Sequence, residues 1–204
     1  MKTRSSEALR RIGLFTLALA AGVYAYFLFA PIYARFVLTL STWMLGPFVQ
    51  APALVSYAEE QGILVFSPAF KGSMEFRYDL FSICLNVIFA PALVVMTRGW
   101  KNWGWLKVIA AVLIMLMFHA GEVVVTLLRF LMEKGNPLIP HASPTAAAFV
   151  KWLYTFADTM SYTLFPFVAW MIVCAGDLAR WAGSRGSARA DASLDGGGTE
   201  RPID

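Results

Sequence analysis

Four polar side chains interrupt an apolar stretch of this sequence at the spacing of one helix face. His119, Glu122, Thr126 and Arg129 follow one another at intervals of three, four and three residues, and a helix stacks such side chains along one side. A histidine and a carboxylate so placed could exchange a proton or bind a polar ligand. A charged side chain costs about 2.5–3.5 kcal/mol at the bilayer centre, so the stripe must face partners or water.

The composition indicates the medium that surrounds this stripe. Of the 204 residues, 58% are hydrophobic and only 15% are charged, and the mean hydropathy is +0.61. These values exclude the class of soluble globular proteins and indicate an integral membrane protein whose first partner is the lipid bilayer. The formal net charge of +4 then reports membrane topology, and no nucleic-acid partner is expected.

Four apolar segments are long enough to cross a hydrocarbon core that needs about 20 helical residues. They cover residues 11–30, 80–97, 105–130 and 149–175. The fold class that they predict is an all-α polytopic membrane protein, a four-helix transmembrane bundle within residues 1–178. The segment 36–48 is short for a span, and it either continues the first helix or forms a fifth, short interfacial helix. Residues 179–204 are rich in Gly, Ser, Ala and Arg, and we expect a disordered cytoplasmic tail there.

A small extracytoplasmic β-hairpin is expected between the first two spans. The alternating run at 62–67 predicts one strand and residues 73–78 predict a second. The turn-prone segment 68–72 would join them.

The basic residues predict the orientation of the chain. With four spans, most of the Lys and Arg residues fall near the N terminus, in the 98–107 loop and after Arg180. Positive charge accumulates on the cytoplasmic side of a membrane. We therefore expect both termini to be cytoplasmic.

Two further segments carry polar side chains that match the first stripe in depth. Asn86 lies in the second segment, and Asp158 and Tyr162 lie in the fourth. On the predicted topology these groups share the outer half of the bundle with the stripe, which predicts an outward-facing polar pocket in which Arg129 pairs with Asp158 or Glu122. The alternative is a buried hydrogen-bond network that holds the helices together.

The two cysteines lie in different segments and in opposite halves of the predicted bundle. Cys84 and Cys174 are therefore too far apart for a disulfide. Cys84 is a candidate nucleophile, but a thiol needs a nearby base or cation to form the thiolate, and a cysteine in an apolar run can equally be a small buried hydrophobe. The spacing of potential ligands matches no metal site, so neither a metal nor another cofactor is expected.

The order of these features resembles the exosortase and archaeosortase superfamily, membrane transpeptidases that process C-terminal sorting signals. The resemblance covers roughly residues 10–178. Its most specific parts are GILVF at 62–66, Cys84-Leu-Asn86, and the stretches 152–158 and 164–170 in the last segment.

Active members of that superfamily use a Cys, Arg and His triad. The resemblance places Cys84 at the nucleophile, the stretch from His119 to Glu122 where the arginine is expected, and Asp158 where the histidine is expected. A carboxylate is a weak base at neutral pH and cannot do all the work of histidine beside a thiol. The chain is therefore most similar to the non-catalytic membrane proteins associated with exosortase systems in Gram-negative bacteria.

This resemblance implies an inner-membrane accessory or scaffold protein of an exosortase-type sorting system. Its expected partners are an exosortase or a protein that bears a sorting signal. Two alternatives stay open. One is a membrane cysteine transpeptidase in which Cys84 recruits Arg129 and either His119 or His141. The other is a small proton-coupled transport component in which His119, Glu122 and Asp158 relay protons.

Overall fold

The structure, a computed structural model, describes residues 2–48, 54–58, 62–66, 80–97, 104–133, 143–161 and 163–195. Helix α1 (Lys2–Leu45) ends in a 3₁₀ turn (Gly46–Phe48) and is followed by strands β1 (Leu54–Ala58) and β2 (Gly62–Phe66). The next segment consists of α2 (Leu80–Cys84), a 3₁₀ turn (Leu85–Ile88) and α3 (Phe89–Met96). Helices α4 (Gly104–Glu133), α5 (Pro144–Met160) and α6 (Leu164–Asp195) complete the described chain.

Helix α4 lies at the centre of the helical assembly and packs against α1, α3, α5 and α6. Alanines occupy several of the tightest positions, since Ala111 and Ala120 of α4, Ala90 of α3 and Ala169 of α6 are all fully buried. Small residues allow helix backbones to approach closely, and close packing drives helix association where lipid removes the usual hydrophobic contrast.

Two helices in the described part of the chain are long and apolar enough to cross a membrane. They are Ser6–Phe48 and α4, and the bent pair α5 and α6 would add a third if its two parts form one span. The chain is therefore a membrane protein.

The predicted four-span bundle is wrong, because two of the four segments are not continuous helices. Segment 80–97 changes to 3₁₀ geometry at Leu85, and its longest apolar helix is Leu85–Met96. Segment 149–175 is broken into α5 and α6 by a bend of 80°. The apolar parts Pro144–Met160 and Leu164–Arg180 are each shorter than the roughly 20 residues that a span needs.

The predicted β-hairpin is also wrong, because the strand pairing differs. Strand β2 pairs antiparallel with β1, which precedes it, in a register that places Leu54 opposite Phe66 and Ala58 opposite Gly62. The connection between these strands is shorter than the predicted turn at 68–72, and short connections favour hairpins. The predicted partner strand at 73–78 lies outside the described residues.

Helices α1 and α6 both extend beyond the apolar segments that predicted them. The segment 36–48 continues α1 as far as Leu45, which is the first of the two alternatives for that segment. Helix α6 runs to Asp195 and so enters the segment predicted as a tail. Ala and Arg recur there, and both are good helix formers.

Candidate functional site

His119 is the centre of a buried hydrogen-bonded chain that joins four elements. Its side chain is fully buried in α4. The ring Nδ1 lies 2.8 Å from the Tyr33 hydroxyl of α1, and the ring Nε2 lies 2.6 Å from Oδ1 of Asn86. The Asn86 amide Nδ2 in turn donates to the backbone carbonyl of Ser161, at 2.6 Å. We call these four residues the His119 network.

The partners fix the direction of the bonds in the His119 network. Oδ1 of Asn86 can only accept, so the histidine Nε2 carries a proton and donates it. The Nδ1 of a neutral ring is then an acceptor and receives the hydroxyl proton of Tyr33. A neutral His119 therefore uses both ring nitrogens, and every bond runs in one direction from Tyr33 to the Ser161 carbonyl.

Asn86 lies in a 3₁₀ turn that is buried on more than one side. A regular helix would separate Asn86 from Cys84 by about 160°, and three residues per turn would still separate them by about 120°. Cys84 and Asn86 are nevertheless both buried, at 1% and 3% exposure, and Val87 and Ile88 are buried as well. The thiol and the amide thus both lie in the interior because neighbouring helices enclose this segment.

Sequence reasoning missed two groups that support the His119 network. Tyr33 follows a proline in an apolar stretch of α1, where a tyrosine is usually an interfacial side chain. Ser41 lies eight residues later on α1 and is fully buried, and its hydroxyl is 2.7 Å from the Val37 carbonyl and 3.2 Å from the Ala120 carbonyl of α4. Tyr33 and Ser41 lie about two turns apart on one face of α1, and this spacing is the sequence signal that could have identified them.

Thr126 and Arg129, further along the predicted stripe on α4, bind groups outside the His119 network. Glu122 and Thr126 are buried at 4% and 7% exposure. The Thr126 hydroxyl donates to the Glu122 carbonyl at 2.8 Å, a local bond within the helix. Arg129 forms its ion pair with Glu133, at 2.8 Å, and its guanidinium lies 4.1 Å from the ring centre of Tyr154.

The structure also separates Asp158 from His119. Asp158 is exposed on α5, and the ion pair predicted between it and Arg129 is not formed. Ser161, three residues later, supplies the carbonyl that Asn86 binds. Tyr162 lies outside the described residues. The structure therefore unites Asn86 and His119, whereas Thr126, Arg129 and Asp158 make other contacts.

Cys84 lies in the apolar core. It is 1% exposed, Cys174 is equally buried, and the two form no disulfide. Its neighbours include the Tyr33 side chain, whose hydroxyl is already directed at His119. His119 therefore has no free nitrogen to act as a base for the thiol. Among the described residues no group of three His, Cys, Asp or Glu side chains could hold a metal ion.

A second polar cluster joins α4 to α6 near the N terminus of α4. The ammonium of Lys107 binds Oδ2 of Asp177, and Arg180 binds the other carboxylate oxygen at 2.6 Å. The side chains of Lys107 and Asp177 are only 20% and 11% exposed. A neighbouring bond from the Trp170 indole to the Thr97 hydroxyl, 2.8 Å long, ties α6 to the end of α3.

An apolar groove of about 270 Å³ lies between α1, α3 and α4 beside the His119 network. Its walls include Tyr26, Ile88, Pro91 and Val112, together with the ring of Tyr33. Tyr33 thus lines the groove while its hydroxyl binds His119.

No protein-family model matches the chain, and no curated protein or solved structure matches it either. The resemblance to the exosortase superfamily therefore depends on the sequence features given above. The chemistry of the site has to be inferred from its own residues, which are a buried histidine with both ring nitrogens hydrogen-bonded and a buried thiol.

Proposed function

We propose that this chain is a non-catalytic accessory or scaffold protein of an exosortase-type sorting system in the bacterial inner membrane. The observation that carries the non-catalytic assignment is the state of His119. It is fully buried and both of its nitrogens are hydrogen-bonded, to Tyr33 and to Asn86. A histidine in that state holds helices together and is not poised to activate a nucleophile.

The surroundings of Cys84 support the same proposal. A reactive cysteine usually sits in an accessible, electropositive site that stabilises the thiolate. Cys84 is 1% exposed, and the arginine of the predicted stripe pairs with Glu133 at the end of α4. Neither the exposure of the thiol nor the position of that arginine suits a transpeptidase.

The packing supports a scaffold role because the network fixes one side of the molecule and leaves another side uncovered. The last third of α1 is held to α4 through Tyr33 and Ser41. On other faces of α1, large apolar side chains such as Leu17, Tyr24 and Phe36 are 62–70% exposed. Such a surface suits lipid and the apolar helix of a membrane partner.

The positions of the basic residues support cytoplasmic termini. The Lys107–Asp177 pair places the start of α4 beside Arg180 of α6. Basic groups thus gather where α4 begins and where the apolar part of α6 ends. The positive-inside bias assigns that side to the cytoplasm, together with Arg10 and Arg11 near the N terminus.

Co-purification from a Gram-negative host that carries an exosortase system tests the proposed partnership. We expect a tagged chain extracted in mild detergent to recover an exosortase or a substrate with a C-terminal sorting signal. An unrelated tagged helical membrane protein serves as the control. Recovery of neither partner with an intact, membrane-inserted chain would contradict the proposal.

The Cys84→Ser substitution tests whether the thiol does chemistry. In cells that lack the native copy, we expect the variant, at equal protein level, to support processing of the sorting substrate as well as the wild type does, because the proposal gives the thiol no part in the chemistry. Cys174→Ser is the matched control, since Cys174 is equally buried. Loss of processing with Cys84→Ser alone, at equal protein level, would instead establish the transpeptidase alternative.

The proton-relay alternative has less support from the contacts of His119. The hydrogen-bonded chain ends at the Asn86 amide and the Ser161 carbonyl, and neither group titrates in the physiological range. Asp158, one of its proposed members, is exposed on another helix. A continuous relay from His119 to Asp158 is therefore not formed by these bonds.

A further inference from the structure

Helix α5 presents three chemically different faces. Its buried face includes Ala157, at 8% exposure, and Val150, which packs against the core. A second face carries Phe149, Trp152 and Phe156, which are 58%, 59% and 41% exposed. We call these three side chains the aromatic ladder, because their rings stack in succession with centroids 6.1 Å and 5.7 Å apart.

The third face of α5 is polar. Lys151, Thr155 and Asp158 are exposed and follow one another at intervals of four and three residues. At 100° per residue the centre of this face lies roughly 125° from that of the aromatic ladder and a similar angle from the buried face. A charged face next to an aromatic one is typical of a helix that lies at a membrane surface.

The neighbours of α5 place it near a membrane boundary. The ring of Tyr154, in the second half of α5, lies under the guanidinium of Arg129. Arg129 and its partner Glu133 form the charged end of α4, with side chains 32% and 56% exposed. Exposed charges avoid the hydrocarbon core, so this contact holds α5 at the depth where α4 leaves it.

The two ends of α5 indicate that it is a helix of its own and not the first half of a straight transmembrane span. Its N terminus is capped by Ser143, whose hydroxyl accepts from the backbone amide of Ala146 at 3.2 Å, and Pro144 occupies the first turn. Such a cap starts a helix without help from a neighbour. At the other end the chain turns by 80° into α6.

From these observations we propose that α5 is an interfacial helix whose aromatic ladder inserts among lipids at the boundary between headgroups and acyl chains. Its polar face then contacts water and its buried face contacts α4. Lipid is the occupant that fits, because tryptophan and phenylalanine are favoured at this depth and because Lys151 and Asp158, on the neighbouring face, need water. The proposal concerns membrane placement and is independent of the sorting function.

Cysteine labelling in vesicles of phosphatidylethanolamine and phosphatidylglycerol tests this placement. Lys151→Cys and Trp152→Cys form a matched pair, since they are adjacent in sequence and lie on different faces. We expect a membrane-impermeant maleimide to label Lys151→Cys rapidly and Trp152→Cys at least about tenfold more slowly. Phe149 and Phe156 remain on the face that carries position 152, and the burial of even one aromatic side chain in lipid favours the inserted state by more than about tenfold. The native cysteines, both 1% exposed, contribute little labelling.

Two outcomes would overturn the proposal. Rapid labelling at both positions would show that the aromatic ladder is open to water and serves a protein partner, and slow labelling at both would place all of α5 inside hydrocarbon or protein. A photo-crosslinking benzoylphenylalanine at position 152 gives an independent measurement that keeps an aromatic group there. We expect phospholipid adducts by mass spectrometry, and adducts to protein alone would contradict the lipid assignment.

Discussion

The Asn86→Leu variant should lose about 1–3 kcal/mol of folding stability, although leucine is apolar and similar in size. The substitution removes the acceptor for His119 Nε2 and the donor for the Ser161 carbonyl. Each buried polar group left without a partner costs about 1–3 kcal/mol. Hydrogen bonds between membrane helices average only about 0.6 kcal/mol, so a loss in the upper half of this range would mean that both groups stay unsatisfied. Reversible unfolding of the detergent-solubilised protein measures the difference.

Thr126→Val is the matched control for Asn86→Leu. Thr126 is also a buried polar residue, at 7% exposure, but its hydroxyl binds only the Glu122 carbonyl of its own helix. Such a bond adds little to helix stability, so we expect a change near zero. Equal losses of stability in the two variants would show that the burial of a polar side chain, and not the hydrogen bonds of Asn86 between elements, determines the effect.

The second large effect is expected near the N terminus of α4. Asp177→Leu removes the carboxylate that binds Lys107, and the Lys107 side chain is only 20% exposed. Breaking a fully buried pair from one side costs about 3–5 kcal/mol, and partial exposure of this pair lowers the expected loss to about 2–3 kcal/mol. The double variant Lys107→Met with Asp177→Leu should recover most of that loss, because it leaves no ammonium without a partner. Unfolding of the two variants in detergent measures both quantities.

The Arg11–Glu7 pair provides the comparison for this effect. It joins residues four apart on α1, with side chains 33% and 39% exposed. Exposed pairs of this kind contribute about 0.3–0.5 kcal/mol, so Arg11→Met, which keeps the apolar stem of the side chain, should change stability by no more than that. The double variant of Lys107 and Asp177 also tests the cause of the loss. If it is no more stable than Asp177→Leu, the loss does not come from a Lys107 ammonium left without its partner.

The sequence predicted the membrane environment well and the continuity of its helices poorly. Apolar length alone identified α1 and α4. In segment 80–97 the same measure failed, because average hydropathy does not register the change to 3₁₀ geometry at Leu85. In segment 149–175 the apolar character continues through a bend of 80°, and the turn is made by the backbone around Ser161, which no apolar pattern reports.

Part of the site could be predicted from the spacing of polar residues and their depth in the membrane, and part could not. Asn86 and His119 were predicted to lie at the same depth, and they form a hydrogen bond. This bond belongs to a buried network that joins helices, which was the alternative to a polar pocket. Arg129 was misassigned because a glutamate one turn away in its own helix, Glu133, competes with any distant carboxylate. Tyr33 was missed because its hydroxyl finds its partner, His119, only when α1 packs against α4.

The length of α1 has a consequence for bilayer thickness. Its 44 residues form a rod of about 66 Å, more than twice a hydrocarbon core of about 30 Å. The hydrogen bonds that clamp it to α4 come from Tyr33 and Ser41, and no residue between 6 and 25 is buried. The N-terminal part of α1 packs less tightly, through partly buried side chains such as Leu19 and Val23. A helix longer than the hydrocarbon core tilts to fit it, so we expect this part of α1 to adjust more readily than the region around His119 when the bilayer thins or thickens.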